Sequence, residues 1–178
     1  MIVLETARLR LRHLTADDAA FILELLNEPA WHRFIGDRGV RTLDAARDYI
    51  ATGPAAMQAR WGFSLGAVVL KETGTPIGIC GLIRRDTLPD VDLGFALLER
   101  WWGSGYAYEI AAAVLLHGRD VLKIPRIAAV TAPDNTRSAQ LLEKLGFRFE
   151  RMIRFDPAKA ESRLFVWRET GEAVGEKK

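Results

Sequence analysis

Apolar and polar residues follow one another along the chain in patterns that predict a sheet covered by helices. Seven segments have a pattern typical of strands, either alternating apolar and polar residues or a short run of β-forming residues. They are residues 9–14, 63–71, 76–84, 91–98, 126–131, 147–155 and 161–168. Apolar residues that recur every three or four positions predict four helices, one after Thr15, one over 43–57, one after Gly105 and one after Asn135. This order predicts an α/β (α+β) fold with a mixed central sheet of about seven strands and flanking helices.

Short polar residues and prolines indicate where these helices begin and end. Thr15 with Asp18 resembles a capping box, and the helix that follows is expected to stop before Pro29. The second helix is expected to be broken or frayed near residues 53–54, a Gly-Pro pair. Asn135 is a good N-cap for the fourth helix.

Length, charge and cysteine content limit the classes of protein to which the chain can belong. A chain of 178 residues predicts one domain, over 1–170, with a polar, glycine-containing flexible tail at 171–178. The net charge of 25 − 23 = +2 is too weakly basic to indicate a nucleic-acid partner. A single cysteine, Cys80, excludes an intrachain disulfide, and no apolar run approaches the ~20 residues of a membrane span. We therefore expect a cytoplasmic protein with no membrane partner.

The segment ERWWGSGYAYEIAAAVLLHG, residues 99–118, places two glycines directly before a predicted helix. Free N–H groups and the helix dipole at such a turn favour an anion. A dinucleotide fingerprint would need a third glycine where Tyr108 stands, and the P-loop string for a nucleoside triphosphate is missing from the sequence. The pyrophosphate of coenzyme A suits the turn, with Arg100 and Arg137 available to add positive charge.

Three segments carry a resemblance to a known family. RWWGSG, residues 100–105, matches the Q/R-x-x-G-x-G/A acyl-CoA signature of the GNAT N-acetyltransferases, and it follows a strand, DLGFALL, similar to theirs. NTRSAQLLEKLGF, residues 135–147, is similar to the family's N-x-x-S-x-x-L-x-E-K-L-G-F helix. The opening LETARLRLRHLTADDAAFI resembles the branch that acetylates ribosomal-protein N-termini (RimJ/RimL-like), and the resemblance covers residues 3–168.

The resemblance implies that acetyl-CoA lies between two parallel strands, here 92–98 and 126–131. Asn135 would reach acetyl-CoA through its side-chain amide, and Ser138 would lie near the thioester. Backbone groups of one strand would pair with the pantetheine arm, namely those of Phe95, Ala96, Leu97 and Leu98. The pyrophosphate would be held by the signature residue Arg100 and by the backbone amides of Gly103, Ser104, Gly105, Tyr106 and Ala107.

The reaction that the resemblance implies is direct attack of a neutral amine on the thioester, with a strand N–H near Phe95 or Ala96 stabilising the oxyanion. Asp92 is the first candidate for the general base, directly or through one water, and Glu161 is a weaker candidate.

The family's usual acid is missing from this chain. Many members place a tyrosine where this sequence has Leu142. Either Ser138, Tyr106 or water protonates the departing thiolate, or no acid is needed.

Trp31 and Phe34 lie in a segment that lines the acceptor site of the family. An α-amine, with a pKa of about 7.7–8.0, needs less help from a base than a lysine near 10.4, so a protein N-terminus is the favoured acceptor. The alternatives are a small-molecule amine (an amino acid, a polyamine or an antibiotic) and a non-catalytic acyl-CoA-binding module. A homodimer is compatible with the family, and three scattered histidines without a Cys/His cluster predict no metal.

Overall fold

The computed structural model describes residues 2–155 and 160–169, and these form one mixed sheet with helices on both faces. The strands are β1 (Ile2–Glu5), β2 (Leu9–His13), β3 (Leu65–Leu70), β4 (Pro76–Arg84), β5 (Val91–Leu97), β6 (Arg126–Thr131), β7 (Arg148–Ile153) and β8 (Ser162–Arg168). The helices are α1 (Ala19–Leu26), α2 (Pro29–Phe34), α3 (Leu43–Ile50), α4 (Ala56–Trp61), α5 (Tyr106–Asp120) and α6 (Thr136–Lys144). None of the helices in these two ranges is long and apolar enough to cross a bilayer.

The sheet order β1-β2-β3-β4-β5-β6-β8-β7 contains one parallel pair, β5 with β6. These two strands pair only where they begin, Val91 opposite Ile127 and Asp92 opposite Ala128. β5 continues along β4, and β6 continues along β8. The sheet therefore splits between β5 and β6 and opens toward the C-terminal ends of both strands.

The sheet is buried on both faces by apolar stripes of the helices. α5 and α6 contribute Ile110, Val114 and Leu142 to the core on one face. α1 and α3 contribute Ile22 and Ile50 to the core on the other. Because burying such a side chain contributes about 1.5–3 kcal/mol, these stripes hold the split sheet together where the strands no longer pair.

The predicted fold class is confirmed, with eight strands rather than about seven. The strand that the pattern did not predict, Ile2–Glu5, is a four-residue edge strand defined by its pairing with β2. The bounds Pro76–Arg84 and Arg126–Thr131 agree with the prediction, and the capping box of Thr15 and Asp18 is present. The predicted tail at 171–178 lies outside the described residues.

Two helical details differ from the sequence prediction. The first helix ends at Leu26 as expected, but a further helix, α2, begins at Pro29, because a proline in the first turn needs no N–H donor. The expected break near residues 53–54 is an interruption of the α-helix between α3 and α4, without an end of the helical path. Ala51–Ala55 form a π-helical stretch that carries the helix through Pro54, since the wider turn accommodates a residue that cannot donate.

Candidate active site

The glycine turn after β5 is built for close approach of a ligand. Gly103 has φ 80° and Gly105 has φ 79°, left-handed values that disfavour residues with a Cβ. A Cβ at Gly103 would meet no atom within 4 Å, so that side of the turn is open. Gly105 is also the N-cap of α5, and no side chain caps it within the described ranges. The amides of the first turn of this 15-residue helix thus remain available to an anion.

Arg8, which sequence reasoning missed, lies beside this turn. Its Nη1 donates to the carbonyl oxygen of Ser104 over 2.9 Å, and its Nε donates to Glu109 Oε2 over 2.7 Å. Its guanidinium carbon lies 4.4 Å from the ring centroid of Tyr106. The link between β1 and β2 brings Arg8 here from about 100 positions away, and no local sequence signal marks that contact.

The two arginines that the sequence suggested for the anion have different neighbours. The Arg100 guanidinium bonds the Glu24 carboxylate on α1, so its charge is directed toward that helix. Arg137 lies over Trp102, with its guanidinium carbon 5.3 Å from the ring centroid. Trp102 Nε1 donates to the Leu97 carbonyl over 2.8 Å, which fixes this tryptophan between the turn and the end of β5.

Strand geometry shows which peptide groups of β5 face the split. The Leu98 N–H donates to the Ile77 carbonyl over 2.9 Å, on the β4 side. Because successive residues of a strand direct their peptide groups to opposite sides, Ala96 also pairs with β4 while Phe95 directs its N–H and C=O toward the gap. Phe95 is therefore the better placed of the two residues proposed to hold the thioester oxygen.

The opposite wall of the gap is formed by the end of β6 and the start of α6. Asn135 caps α6, its Oδ1 accepting from the Ser138 N–H over 3.1 Å. The hydroxyl of Thr131, at the end of β6, is buried and has no hydrogen-bond partner within the described ranges. Leu142, at the family's tyrosine position, is fully buried in the core. No acid can act from that position.

Asp92 lies at the closed end of the split, where β5 still pairs with β6. Its side chain is 1% exposed, and Arg85 Nε donates to its Oδ2 over 2.6 Å. Its Oδ1 is buried without a hydrogen-bond partner in the part of the chain that is described. Burial raises the pKa of Asp92 to about 6, although Arg85 opposes the shift. Glu161, the weaker candidate, is exposed and pairs with Arg154 over 3.7 Å.

Helix α2 is tied to both sides of the opening. The Ala30 N–H donates to Glu99 Oε1 over 3.1 Å, just after β5. Arg33 Nη2 pairs with Asp134 Oδ2 over 2.8 Å, in the loop between β6 and α6. Because Glu99 follows one strand of the split and Asp134 follows the other, α2 lies at the mouth of the gap.

The two residues expected to line the acceptor site are both on α2, in different environments. Trp31 is buried in the core, and its Nε1 donates to the Gly36 carbonyl over 3.1 Å. Phe34 is half-buried, with the Arg33 guanidinium 4.9 Å from its ring centroid. Trp31 thus supports α2 from within, and Phe34 is the more accessible of the pair.

A group of basic and aromatic residues lies at the end of the sheet where β4 ends and β5 begins. We call Arg60, Trp61 and Arg84 the arginine–tryptophan cluster. The two guanidinium carbons lie 4.8 and 4.9 Å from a ring centroid of Trp61. Neither arginine has a carboxylate partner among residues 2–155 and 160–169. Arg84 pairs with Val91 and directly precedes Arg85, which holds Asp92, so the cluster lies at the same end of β5 as the candidate base, while only Arg85 contacts that base.

Comparison with known proteins places the chain in a family. It matches the family model of the GNAT acetyltransferase domain over residues 8–148. It is 30% identical to the uncharacterized N-acetyltransferase YoaA of Bacillus subtilis over 153 residues, which are 85% of this chain and 86% of YoaA. RimL, a ribosomal L7/L12 α-N-protein acetyltransferase solved with coenzyme A, has a TM-score of 0.80 at 15% identity, covering 94% of this chain and 98% of RimL. The ribosomal-protein-S5-alanine acetyltransferase of Vibrio fischeri has a TM-score of 0.75 at 18% identity, covering 94% and 96%.

Proposed function

The chain belongs to the GNAT acetyltransferase family and is an N-acetyltransferase, and we propose that it transfers acetyl from acetyl-CoA to the α-amine at a protein N-terminus. One observation carries the proposal: the split between β5 and β6 opens toward the glycine turn at the start of α5. A thioester substrate with a pyrophosphate at its far end matches a gap with an anion site at its mouth.

The residues around the gap fit acetyl-CoA as a substrate. The first-turn amides of α5 would hold the pyrophosphate, and Gly103 and Gly105 have no side chain to obstruct it. The Phe95 carbonyl would pair with the pantetheine arm from one wall, which leaves the Phe95 N–H for the thioester oxygen. On the other wall, the hydroxyl of Thr131 has no partner among the described residues, and Asn135, whose Oδ1 caps α6, would offer its amide nitrogen.

The chemical step is a direct transfer. The neutral amine nitrogen attacks the thioester carbon, a C–N bond forms, the C–S bond breaks and the thiolate leaves. Negative charge collects on the thioester oxygen, and the Phe95 N–H, which faces the gap, would stabilise it. Cys80 is fully buried, and burial raises the pKa of its thiol to about 12. A covalent acetyl-cysteine step is therefore unsupported, which favours direct attack.

Asp92 is proposed as the base that takes the amine proton. With a pKa of about 6 it is mostly ionised at neutral pH, yet it is more basic than an exposed aspartate. Its burial means that the proton would travel through one water to Oδ1, the oxygen that Arg85 leaves free. Arg85 would hold the carboxylate in place while the other oxygen acts.

The departing thiolate would be protonated by water or by Ser138. The ring of Tyr106 packs edge-on against Trp101, with centroids 6.3 Å apart, and carries the Arg8 guanidinium on its face. This packing favours a structural role for Tyr106. Ser138 lies in the first turn of α6, half-buried beside the gap.

The charges near Asp92 support a peptide acceptor over a polycation. The arginine–tryptophan cluster, at the same end of β5 as Asp92, and Arg85, which contacts Asp92, would repel polyamines and aminoglycosides, since these carry several positive charges. A protein N-terminus brings a single amine that is about 10–20% neutral at pH 7.

Release of free thiol from acetyl-CoA tests the proposal. N-terminal peptides are set beside amino acids, polyamines and aminoglycosides, and each peptide has a matched control whose α-amine is already acetylated and whose lysine is free. We expect turnover with the free N-terminus and none with the blocked one. Turnover confined to small amines would overturn the acceptor class, and binding without any turnover would reduce the protein to an acyl-CoA-binding module.

A further inference from the structure

We propose that Arg8 is a positioning residue for the pyrophosphate of acetyl-CoA. It holds the peptide between Ser104 and Gly105 in the orientation that binds the anion, and it neutralises Glu109, the carboxylate in the first turn of α5. The inference rests on the proposed binding of acetyl-CoA at the glycine turn and adds a residue that the family signature does not contain.

The link between β1 and β2 is fixed to α5 through the Glu109 carboxylate. Glu109 Oε1 accepts from the Thr6 hydroxyl over 2.6 Å and from the Arg8 N–H over 2.9 Å. Glu109 Oε2 accepts from Arg8 Nε over 2.7 Å. Burial works against ionisation here, but these hydrogen bonds and the guanidinium charge outweigh it and lower the pKa of Glu109. The carboxylate is thus charged and fully engaged, and Arg8 has a fixed starting point.

From that point Arg8 sets the direction of one peptide unit in the turn. Its Nη1 donates to the Ser104 carbonyl oxygen over 2.9 Å. In a trans peptide the carbonyl and the following N–H point in opposite directions, so this bond directs the Gly105 N–H away from Arg8. Ser104 and Gly105 flank the unit, and Gly105, with φ 79°, adopts either sign of φ at little cost. The turn itself therefore does not fix the amide, and the external hydrogen bond does.

Arg8 also neutralises the Glu109 carboxylate, whose negative charge would otherwise repel the pyrophosphate. An acidic residue in the first turn stabilises a helix through its dipole, but a free carboxylate at the same place repels a pyrophosphate. Glu109 is in that first turn, and Arg8 pairs with it. The Arg8 guanidinium over the Tyr106 ring keeps this charge against the turn even though the side chain is 47% exposed.

Steady-state kinetics with two acetyl donors test the inference. Acetyl-CoA carries the pyrophosphate, and S-acetylpantetheine lacks it. For Arg8→Ala we expect KM for acetyl-CoA to rise about tenfold, because one charge-assisted hydrogen bond is lost. The value of kcat at saturating acetyl-CoA should not change. The kinetics with S-acetylpantetheine should not change either. Adding Glu109→Gln to Arg8→Ala should recover part of that loss, because the uncompensated carboxylate is then gone. Arg8→Lys should lie between wild type and Arg8→Ala.

Arg10→Ala is the matched control, since Arg10 forms a similar exposed ion pair with Glu5 on the same hairpin without touching the turn. An Arg8→Ala variant with an unchanged KM for acetyl-CoA would overturn this inference and leave the proposed function standing. An equal loss with both donors would also overturn it, by reducing Arg8 to a general folding contact. Failure of the wild-type protein to bind acetyl-CoA at all would instead refute the proposed function. If Arg8→Ala does not fold, Arg8→Lys gives the same test with a smaller expected change.

Discussion

The two ends of β5 differ in almost every physical respect. At its C-terminal end the glycine turn is exposed, flanked by Arg8 and Arg137, and rich in free N–H groups. At its N-terminal end Asp92 is 1% exposed and has one charged partner. Anion binding tolerates water because several modest contacts add together, whereas a base needs a shifted pKa that burial supplies. One strand would thus provide affinity at one end and reactivity at the other.

The largest effect is expected at the exposed end. Gly105→Trp directs a bulky side chain at Arg8, whose Nη2 would lie 3.4 Å from the new Cβ, and forces a left-handed φ of 79° on a residue with a Cβ, so the glycine turn cannot keep its shape. We expect acetyl-CoA affinity to fall more than about 100-fold, which is roughly 3 kcal/mol. Isothermal titration calorimetry with acetyl-CoA measures it directly, and circular dichroism checks the fold.

Gly74→Trp is the matched control for that variant. Gly74, in the turn before β4, also has a left-handed φ, 72°, but a Cβ there would meet no atom within 4 Å. It should show the same backbone strain with normal acetyl-CoA affinity. A folded Gly105→Trp protein that still binds acetyl-CoA like wild type would show that the glycine turn is not the anion site.

A substitution at the buried end of β5 should lower kcat without changing the affinity for acetyl-CoA. For Asp92→Asn we expect kcat to fall about 100-fold, a typical contribution of a general base, with KM for acetyl-CoA unchanged. In wild type kcat should rise with pH through about 6, because the protonated carboxyl below that pH cannot accept a proton. In the variant this rise should vanish, leaving only the titration of the acceptor amine. A rise near pH 6 that persists in Asp92→Asn would assign it to another group.

The raised pKa of Asp92 also predicts that Asp92→Asn stabilises the folded protein. The pKa of Asp92 is raised in the folded state, so its contribution to stability is present at low pH and is lost as pH rises through about 6. Replacing the buried charge by a neutral amide should raise the free energy of unfolding at pH 7.5 by roughly 1–3 kcal/mol. Asp90→Asn, which removes a half-exposed partner of Arg126, is the control and should leave kcat and its pH dependence unchanged.

Sequence patterns predicted the elements whose local signals agree with their tertiary surroundings. The bounds Pro76–Arg84 and Arg126–Thr131 follow from runs of β-forming residues, and the capping box at Thr15 depends on residues only three positions apart. Ile2–Glu5 is too short to show a period and becomes a strand only by pairing with β2. Pro54 would end an ordinary helix, and only the π-helical geometry keeps it inside one.

Within the site, sequence predicted backbone features better than the partners of long side chains. The glycine turn is encoded by its own residues, because φ values near 80° need glycine. Arg100 has the signature position but bonds Glu24, and Arg8 has no motif but reaches Ser104. A flexible arginine selects among carboxylates and carbonyls that only the folded chain brings within reach, and no spacing rule encodes that choice.

An intermediate effect is expected at the arginine–tryptophan cluster, near the buried end. For Arg60→Glu combined with Arg84→Glu we expect kcat/KM for an acidic N-terminal peptide to fall about tenfold relative to a basic peptide of the same length. The change should shrink at high salt, because exposed charges are screened. Arg38→Glu, an exposed arginine in the loop before α3, is the control. An unchanged ratio of the two peptides would remove the cluster from acceptor selection.

The smallest effect concerns the contact that joins α2 to the β6 side of the gap. Arg33 on α2 pairs with Asp134 after β6, with side chains 65% and 54% exposed, so solvent screens the pair and its loss should have little effect on stability. If α2 orders the acceptor at the mouth of the gap, Arg33→Ala should raise KM for the peptide about two- to threefold and leave KM for acetyl-CoA unchanged. A double-mutant cycle with Asp134→Ala isolates the pair, and Arg47→Ala, from an exposed pair on α3, is its control. Coupling that appears in the peptide KM alone would mean that α2 serves the acceptor. If the coupling between Arg33 and Asp134 appears in the KM values of both substrates, acetyl-CoA and the acceptor enter through the same opening of the gap. The two ends of β5 would then be less independent than their environments indicate.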